Sequence, residues 1–103
     1  MLQVRTLPEE FVGFTVYIIE SLSTGKRYVG QTNNLQRRLA EHNDPDHNPG
    51  KYTSKHAGPW KVIHQEQCSS RSESMKRERW LKSGTGRQWL NKKFGRASPP
   101  QAD

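Results

Sequence analysis

The hydrophobic positions of the chain fall into a few short runs, and the first run predicts a buried central strand. In the segment TVYIIES, the residues Val16-Tyr17-Ile18-Ile19 follow one another without a polar interruption. Such a run of β-branched and aromatic residues is typical of a strand that is covered on both faces. A glycine-containing turn at residues 23–26 and a second strand over residues 26–31 complete a hairpin. We expect this hairpin to bring Tyr17 and Tyr28 close together.

After the hairpin, the spacing of the apolar residues becomes that of a helix. Leu35 and Leu39 lie four residues apart and predict its buried stripe. Thr32 or Asn33 is predicted as the N-cap, and the helix is expected to end near Asn43.

The rest of the chain predicts one more strand and two more helices. Residues 44–59 contain three prolines and two glycines, which indicates a long exposed loop, and residues 60–66 form the third strand. Ser70 and Glu73 have the spacing of a capping box that opens a helix to about Ser83. The segment GTGRQWLNKKF predicts a short closing helix.

A single compact domain is expected over residues 14–94. The chain has 103 residues and 30% hydrophobic composition, which suits one modest core. Residues 1–13 are interpreted as an N-terminal extension and residues 95–103 as a disordered tail.

The charge balance favours a polyanionic partner, of which nucleic acid is the commonest. The chain carries 17 Lys and Arg against 10 Asp and Glu, for a formal net charge of +7. A basic excess on so short a chain raises the prior for nucleic-acid binding. The alternative is that these cations are solvated surface, but their clustering along the sequence weighs against it.

The compartment predicted from the sequence is the cytoplasm. Cys68 is the only cysteine, so neither an internal disulfide nor a multi-cysteine zinc site is available. No basic-then-apolar signal arrangement is present at the N-terminus, and no apolar run approaches the roughly 20 residues that span a bilayer. We therefore expect a soluble protein without membrane contact. Cys68 and His64 are interpreted as structural.

Two cationic residues share one face of the first predicted helix. Arg38 and His42 lie four apart, next to the leucine stripe, and would project over the end of the strand that carries Tyr28 and Gly30. The simpler interpretation is a solvated cation and a histidine that is favoured by the helix dipole.

Glu78 is the carboxylate whose position most needs an explanation. At about 100 degrees per residue it falls between Met75 and Leu81, on the stripe that should face the core. Desolvating a carboxylate costs several kcal/mol unless a cation compensates. The two explanations are a salt bridge to Arg71 or Lys82, and a metal ligand.

Together these residues suggest the hydrolysis of a phosphodiester. That reaction needs an activated water, cationic stabilisation of the phosphoryl oxygens and neutralisation of the leaving oxyanion. The guanidinium of Arg38 suits the second task, and Glu78 can hold one Mg²⁺ or Mn²⁺. A tyrosine base is unusual because its ordinary pKa is about 10, but a metal and cations nearby favour the phenolate.

The order and spacing of these residues resemble the GIY-YIG nuclease family, and most closely its small stand-alone bacterial members. The resemblance covers residues 14–94. Further similarity lies in RYVGQTNNLQRRLAEHN, KYTSKH, GPWKVI and SRSESMKRERWLKS. The matching positions are Thr15-Val16-Tyr17, Tyr28-Val29-Gly30, Arg38, His42 and Glu78.

The resemblance implies an α+β fold, with a small three-stranded antiparallel sheet flanked by about three helices. It also implies a catalytic role for each matching side chain. Tyr17 becomes the candidate general base, Tyr28 helps to place the water or the phosphate, and His42 assists proton movement or orients Tyr17. Arg38 becomes the phosphate-stabilising residue and Glu78 the ligand of one divalent metal. Family members act on DNA in repair, restriction, recombination-structure processing and intron homing.

Two motif positions depart from the family pattern. Thr15 replaces the glycine of the first motif and Val29 the isoleucine of the second, and neither change removes a reactive group. Members of the family often carry an asparagine beyond the glutamate helix, for which Asn91 is a candidate.

The remaining cations are candidates for contacts with phosphates along a groove, where they would hold nucleic acid without reading its sequence. Tyr52 and Trp89 are candidates for stacking on bases, although core packing is the commoner role. Trp60 and Trp80 are interpreted as packing residues. The candidate nucleic-acid-binding residues are Arg37, Lys51, Lys55, His56, Lys82, Arg87, Lys92 and Lys93.

A competing metal site can be drawn in HNDPDHNPG. There His42, Asp44, Asp46 and His47 lie close in sequence, but the prolines indicate a turn and no downstream ligand completes the set.

The leading hypothesis is a metal-dependent endonuclease, with DNA favoured over RNA as its substrate. The alternative is a nucleic-acid-binding module that keeps the nuclease fold without cleaving, and a third hypothesis is a basic protein-interaction domain. A protein partner is compatible with each.

Overall fold

Among the residues that the structure describes, three strands and three helices form in the order that the sequence predicts. The structure is a computed structural model that describes residues 13–44, 46 and 58–95. The elements are β1 (Phe14–Ser21), β2 (Arg27–Thr32), α1 (Leu35–His42), β3 (Trp60–Cys68), α2 (Arg71–Lys82) and α3 (Gly84–Phe94).

β1 is the central strand of an antiparallel sheet with the order β2-β1-β3. Its apolar run is buried on both faces, with Val16, Ile18 and Ile19 fully inaccessible to solvent. In the register of the hairpin, Tyr17 lies opposite Gly30 and Ile19 lies opposite Tyr28. The α+β fold and the buried central strand are therefore confirmed.

The alternation of side chains along β1 divides the core into two clusters. Val16 and Ile18 pack with Leu81 of α2 and Leu90 of α3. The intervening side chains pack on the opposite face of the sheet, where Tyr17, Ile19 and Trp60 are buried and the partly buried Leu35 and Leu39 of α1 pack against them. Since successive residues of a strand point to opposite faces, α1 covers one face of the sheet and the two C-terminal helices cover the other.

The predicted N-cap of α1 was wrong. The cap is Asn34, whose side-chain oxygen accepts a hydrogen bond from the backbone N–H of Arg37 at 3.0 Å. Thr32 still belongs to β2, and its hydroxyl accepts from the N–H of Asn34 at 3.1 Å. Thr32 therefore shapes the turn between strand and helix, and the helix starts two residues after Asn33.

The predicted capping box of α2 forms in part. The Ser70 hydroxyl accepts from the N–H of Glu73 at 3.2 Å. The Glu73 carboxylate reaches back to the N–H and hydroxyl of Ser69 instead, at 3.2 and 2.9 Å. Both ends of the first turn are satisfied, with the return bond made one residue before the cap.

The buried stripe of α2 is shifted from its predicted position. Ser74 and Leu81 are fully buried, whereas Met75 is 42% exposed. Glu78 therefore lies at the edge of the buried stripe, and its side chain is 22% exposed. The shift arises because the tilt of the helix on the sheet, which periodicity alone does not specify, decides the face that is covered.

Arg27 fastens the end of α3 to the sheet. Its side chain is 8% exposed and forms an ion pair with Glu20 at 3.0 Å. It also donates to the backbone oxygens of Phe94 and Gly95, at 3.2 and 2.9 Å, and to the side-chain oxygen of Asn91 at 3.4 Å. These bonds satisfy carbonyls that the end of a helix leaves open, and they place Asn91 beside Arg27.

Several sequence predictions lie outside the described residues. They concern residues 1–12, almost all of the loop predicted at residues 44–59, and the tail after Gly95. Within the part of the chain that the structure describes, no helix has the length and apolar character needed to cross a bilayer.

Candidate active site

A hydrogen bond between Tyr17 and His42 lies at the centre of the candidate site. The phenolic oxygen of Tyr17 is 2.7 Å from Nε2 of His42. Tyr17 is 1% exposed and His42 is 6% exposed. The strand register directs Tyr17 to the face that α1 covers, and His42, the last residue of α1, meets it there.

Tyr28 completes an aromatic group around this hydrogen bond. Its ring centroid is 6.4 Å from that of Tyr17 and 5.0 Å from that of His42. The expected proximity of the two tyrosines is therefore present. It depends on Gly30, because a Cβ at that position would lie 2.6 Å from the Tyr17 hydroxyl and 3.0 Å from the ring of Tyr28.

The two arginines of α1 differ in their surroundings, as expected. Arg38 is half-buried and donates from Nη1 to Oε1 of Glu41 at 2.7 Å. Its charge also reaches the Tyr17 hydroxyl and acts to lower the pKa of that phenol. Arg37 is 61% exposed and lies 3.7 Å from the second oxygen of Glu41. Only Arg38 therefore reaches the buried Tyr17.

Burial determines the protonation of Tyr17 and His42. Burial, with the nearby Tyr28, raises the pKa of Tyr17 to about 12, although hydrogen bonding and charge from Arg38 act in the opposite direction. Burial and the positive charge of Arg38 lower the pKa of His42 to about 4. At neutral pH the site therefore holds a neutral phenol against a neutral imidazole.

The roles of donor and acceptor between Tyr17 and His42 depend on the tautomer of the histidine. In the tautomer with an unprotonated Nε2, the phenolic O–H donates to that nitrogen. Arg38 favours the phenolate, as expected of a nearby cation, but burial outweighs its effect and the pKa of Tyr17 is raised.

Arg38 itself remains charged. Burial lowers the pKa of Arg38, but its hydrogen bonds to Glu41 and Tyr17 more than offset this effect and the net pKa is raised. A fixed positive charge therefore lies beside the Tyr17 hydroxyl at every pH of interest.

Glu78 forms the salt bridge that the sequence offered as one explanation. Its Oε2 accepts from Nζ of Lys82 at 2.7 Å, one helical turn away. Its negative charge also raises the pKa of Tyr17, which brings it electrostatically into the same site. Among the described residues, its Oε1 makes no hydrogen bond.

The donor set suits a hard cation that keeps most of its waters. Within residues 13–44, 46 and 58–95 no group of three or more His, Cys, Asp or Glu side chains gathers, so no all-protein cage is present there. Mg²⁺ is commonly held by one or two carboxylates together with waters and substrate phosphates. The single carboxylate of Glu78 fits that pattern. In the competing site, Asp44 accepts from the N–H of Asp46 at 3.0 Å, and His47 lies outside the described residues.

Of the predicted nucleic-acid-binding cations, Arg37 lies on α1, and Lys82, Arg87, Lys92 and Lys93 lie on α2 and α3. The Nη1 of Arg87 donates to the backbone oxygen of Lys82 at 2.7 Å, and Nζ of Lys93 lies 5.0 Å from the ring of Trp89. Lys92 is exposed on α3. Lys51, Lys55 and His56 lie outside the described residues, as does Tyr52.

Trp89 packs in the core layer on the far side of the sheet. Its ring lies 5.9 Å from that of Trp80 and 5.7 Å from that of His64. His64 in turn contacts Glu66 at 2.8 Å, and Arg77 donates to Glu66 at 2.8 Å. The structural interpretation of Trp80 and His64 is confirmed, and Trp89 adopts its commoner role.

Comparison with known proteins shows the family to which the chain belongs. A profile of the GIY-YIG catalytic domain matches residues 13–93. The chain belongs to the GIY-YIG catalytic domain family. A UPF0213 protein of Halobacterium salinarum is 45% identical over 67 residues, which cover 65% of this chain and 82% of that protein. A UPF0213 protein of Desulfotalea psychrophila is 37% identical over 67 residues, and the aligned part spans 65% of this chain and 58% of that protein.

A solved structure of another relative also matches. The solution NMR structure of a UPF0213 protein from Bacillus halodurans is 27% identical, with a TM-score of 0.47, and the match covers 81% of this chain and 86% of that chain.

Glu41, the ion-pair partner of Arg38, was missed by the reasoning from sequence. The signal that would have indicated it is spacing, because Glu41 lies three residues after Arg38 and four after Arg37 on one helix. Spacing alone does not distinguish it from an ordinary surface pair, since that distinction depends on the burial of Arg38.

Proposed function

We propose that this protein is a metal-dependent endonuclease that hydrolyses phosphodiester bonds in DNA. The observation that carries the proposal is the buried hydroxyl of Tyr17, which lies 2.7 Å from Nε2 of His42 and is also influenced by the positive charge of Arg38. A buried tyrosine that serves only for packing does not need both an imidazole and a guanidinium near its hydroxyl.

The proposed proton path begins at the attacking water. As the water oxygen bonds to phosphorus, its proton passes to the Tyr17 oxygen while the Tyr17 proton passes to Nε2 of His42. The bond from phosphorus to the leaving oxygen breaks, this oxygen takes a proton from solvent, and the His42 imidazolium then returns its proton to solvent. The pKa of His42, lowered to about 4, leaves the imidazole neutral and able to accept. In this concerted transfer Tyr17 never has to exist as a free phenolate, which its pKa of about 12 makes scarce at neutral pH.

Arg38 is the proposed stabiliser of the charge that develops on the phosphoryl oxygens. Its guanidinium has five N–H donors, and Glu41 occupies one nitrogen. The remaining donors suit an oxyanion next to Tyr17 in a site with little water. Tyr28 lies beside His42 and is proposed to help position the water or the phosphate.

Glu78 is the proposed ligand of one Mg²⁺ or Mn²⁺. A divalent ion bound there would neutralise the departing oxygen and complete its coordination with waters and phosphate oxygens. Lys82 contacts only Oε2 of Glu78, so Oε1 could hold such an ion, and weakening the exposed i,i+4 pair with Lys82 would cost little.

The charge distribution supports a nucleic-acid substrate. Between Arg71 and Phe94 the chain carries eight cationic and two acidic side chains, so most of its basic excess lies on α2 and α3. Phosphates are the natural counterions of such a surface, and contacts with them do not depend on base sequence.

A cleavage assay with matched variants tests the proposal. The purified protein is incubated with linear, nicked, branched and single-stranded DNA, and with an RNA control, with Mg²⁺, Mn²⁺ or a chelator. We expect metal-dependent cutting of at least one DNA. Glu78→Gln should abolish it while binding persists, and Glu73→Gln, which removes a carboxylate from the same helix, should not.

A second candidate function is a nucleic-acid-binding module that does not cleave. The observation that favours it is the ion pair between Glu78 and Lys82, which supplies the carboxylate with a partner in the absence of metal. Salt-dependent DNA binding without cutting of any substrate in the panel would select this candidate. Cutting that persists unchanged in Glu78→Gln would reject the proposed metal site.

A further inference from the structure

Glu41 contacts the residue that the proposed mechanism depends on most. Its Oε1 accepts from Nη1 of Arg38 at 2.7 Å, and its Oε2 lies 3.7 Å from Nε of Arg37. The Glu41 side chain is 25% exposed and that of Arg38 is 27% exposed. Both groups of the shorter pair are thus mostly shielded, unlike the exposed Arg37.

Arg38 is therefore held between two partners of different kinds. On one side is the carboxylate of Glu41 from the same helix, and on the other is the buried hydroxyl of Tyr17 from the central strand. An arginine side chain is long and flexible, and holding it in one place costs conformational entropy. A second fixed contact reduces the orientations that the guanidinium can adopt beside Tyr17.

We propose that Glu41 is a positioning residue, which holds the Arg38 guanidinium against Tyr17 so that its remaining donors face the scissile phosphate. The inference rests on the proposed nuclease function for its catalytic consequence, but the arrangement of side chains can be tested without it. Glu41 does not touch the reacting atoms and acts through Arg38.

The charge of Glu41 also suits this position. It raises the pKa of His42, opposing the lowering by burial and by Arg38. The negative charge of Glu41 thus offsets part of the effect of Arg38 on the pKa of His42, while the Arg38 guanidinium stays in place. An isolated Arg38 would make His42 a still weaker acceptor for the Tyr17 proton.

An ordinary surface ion pair is the alternative explanation. Pairs at i,i+3 on a helix stabilise it by only a few tenths of a kcal/mol, so such a pair would have little effect on the chemistry when removed. The two explanations therefore differ in the size of the catalytic effect and in whether that effect requires Arg38.

The first arm of the test measures cleavage by Glu41→Gln, Arg38→Ala and the double variant under single-turnover conditions. The glutamine keeps the shape of the side chain and removes its charge. We expect the maximal rate of Glu41→Gln to fall by about 10- to 100-fold, with a much smaller change in the substrate concentration for half-maximal rate. In the Arg38→Ala background, the same substitution should have a much smaller effect, limited to its charge on His42, and Glu41→Asp should lose less activity than Glu41→Gln.

The second arm does not need activity. The Nη1–H resonance of Arg38, the group that donates to Glu41, is assigned by low-temperature NMR from its disappearance in Arg38→Ala. In the wild type it should be resolved, and in Glu41→Gln it should move to the position of solvent-exposed arginines. Glu73→Gln, which removes an exposed carboxylate elsewhere, should leave it in place.

The outcomes separate the two proposals. An unchanged maximal rate in Glu41→Gln, or an equal loss with and without Arg38, would overturn the positioning role. If the wild-type protein cuts nothing, the nuclease proposal fails and the Arg38 resonance alone decides whether Glu41 holds the guanidinium. An unmoved resonance in Glu41→Gln would then reject the inference.

Discussion

The ring of Tyr17 occupies the space that a side chain at Gly30 would fill. The two residues lie opposite each other in the β1-β2 ladder, and a Cβ at position 30 would be 2.6 Å from the Tyr17 hydroxyl and 2.8 Å from its Cζ. The atoms that it would meet belong to a ring whose residue is only 1% exposed. Position 30, the last of the YVG motif, is therefore glycine, because a side chain there would collide with the ring of Tyr17.

Gly30→Ala should displace the Tyr17 hydroxyl from His42. The buried ring has little freedom to yield, so we expect a loss of about 1–3 kcal/mol in the free energy of unfolding. Cleavage should fall by about 100-fold, since a misplacement of about 1 Å suffices for such an effect. Urea unfolding and initial cleavage rates measure the two quantities.

Gly84→Ala is the matched control, because a Cβ there meets no atom within 4 Å. Wild-type cleavage by Gly30→Ala would contradict the packing argument.

Arg38→Ala should reduce cleavage far more than Arg37→Ala. Arg38 reaches Tyr17 from a half-buried position, and the loss of one such donor typically lowers the rate by about 100-fold or more. Arg37 is 61% exposed, so its removal should weaken binding only a few-fold at low salt, through one lost phosphate contact. Rates and binding are compared at two salt concentrations. Equal losses of rate would reduce the proposed site to a general basic patch.

The elements of the fold were predictable because each has a strong local signal. The uninterrupted run from Val16 to Ile19 indicated a central strand, and the spacing of Ser70 and Glu73 indicated a helix start. What periodicity could not supply was the orientation of α2 on the sheet. That orientation leaves Met75 exposed and moves Glu78 to the edge of the core.

The candidate site was predictable where it depends on spacing. Arg38 and His42 lie four residues apart, which directs both to one helix face, and the hairpin register brings Tyr17 to Tyr28. The hydrogen bond from Tyr17 to His42 and the contact between Arg38 and Glu41 depend on rotamers and burial. Those are set by tertiary packing, so the pattern of residue types does not contain them.

Arg27→Ala should destabilise the fold without acting on the chemistry. The side chain is 8% exposed and joins Glu20 to the backbone oxygens of Phe94 and Gly95 at the end of α3. Without Arg27, the Glu20 carboxylate and the two carbonyls at the end of α3 lose their donor. We expect the free energy of unfolding to fall by about 2–4 kcal/mol. Urea unfolding provides the measurement. Arg71→Ala, at an exposed position of α2, should change stability by less than about 0.5 kcal/mol. Similar losses in both variants would show that Arg27 does not anchor α3.

His42 should make stability depend on pH in the acidic range. Its pKa is about 4 in the folded protein against an ordinary value of 6.5, so the unfolded chain binds more protons between these values. The contribution is therefore complete above about pH 6.5 and is lost as the pH falls towards 4. It is at most about 3 kcal/mol, because one pKa unit corresponds to about 1.4 kcal/mol. Urea unfolding at closely spaced pH values measures how the free energy of unfolding changes with pH.

The control is His42→Gln, which lacks the imidazole but keeps every carboxylate that titrates in the same range. The lost contact with Tyr17 lowers the stability of this variant at every pH, but its decline from pH 6.5 to 4 should be shallower than in the wild type. Parallel profiles for the two proteins would mean that His42 is not held neutral against Tyr17, and the proposed proton acceptor would have to be another group.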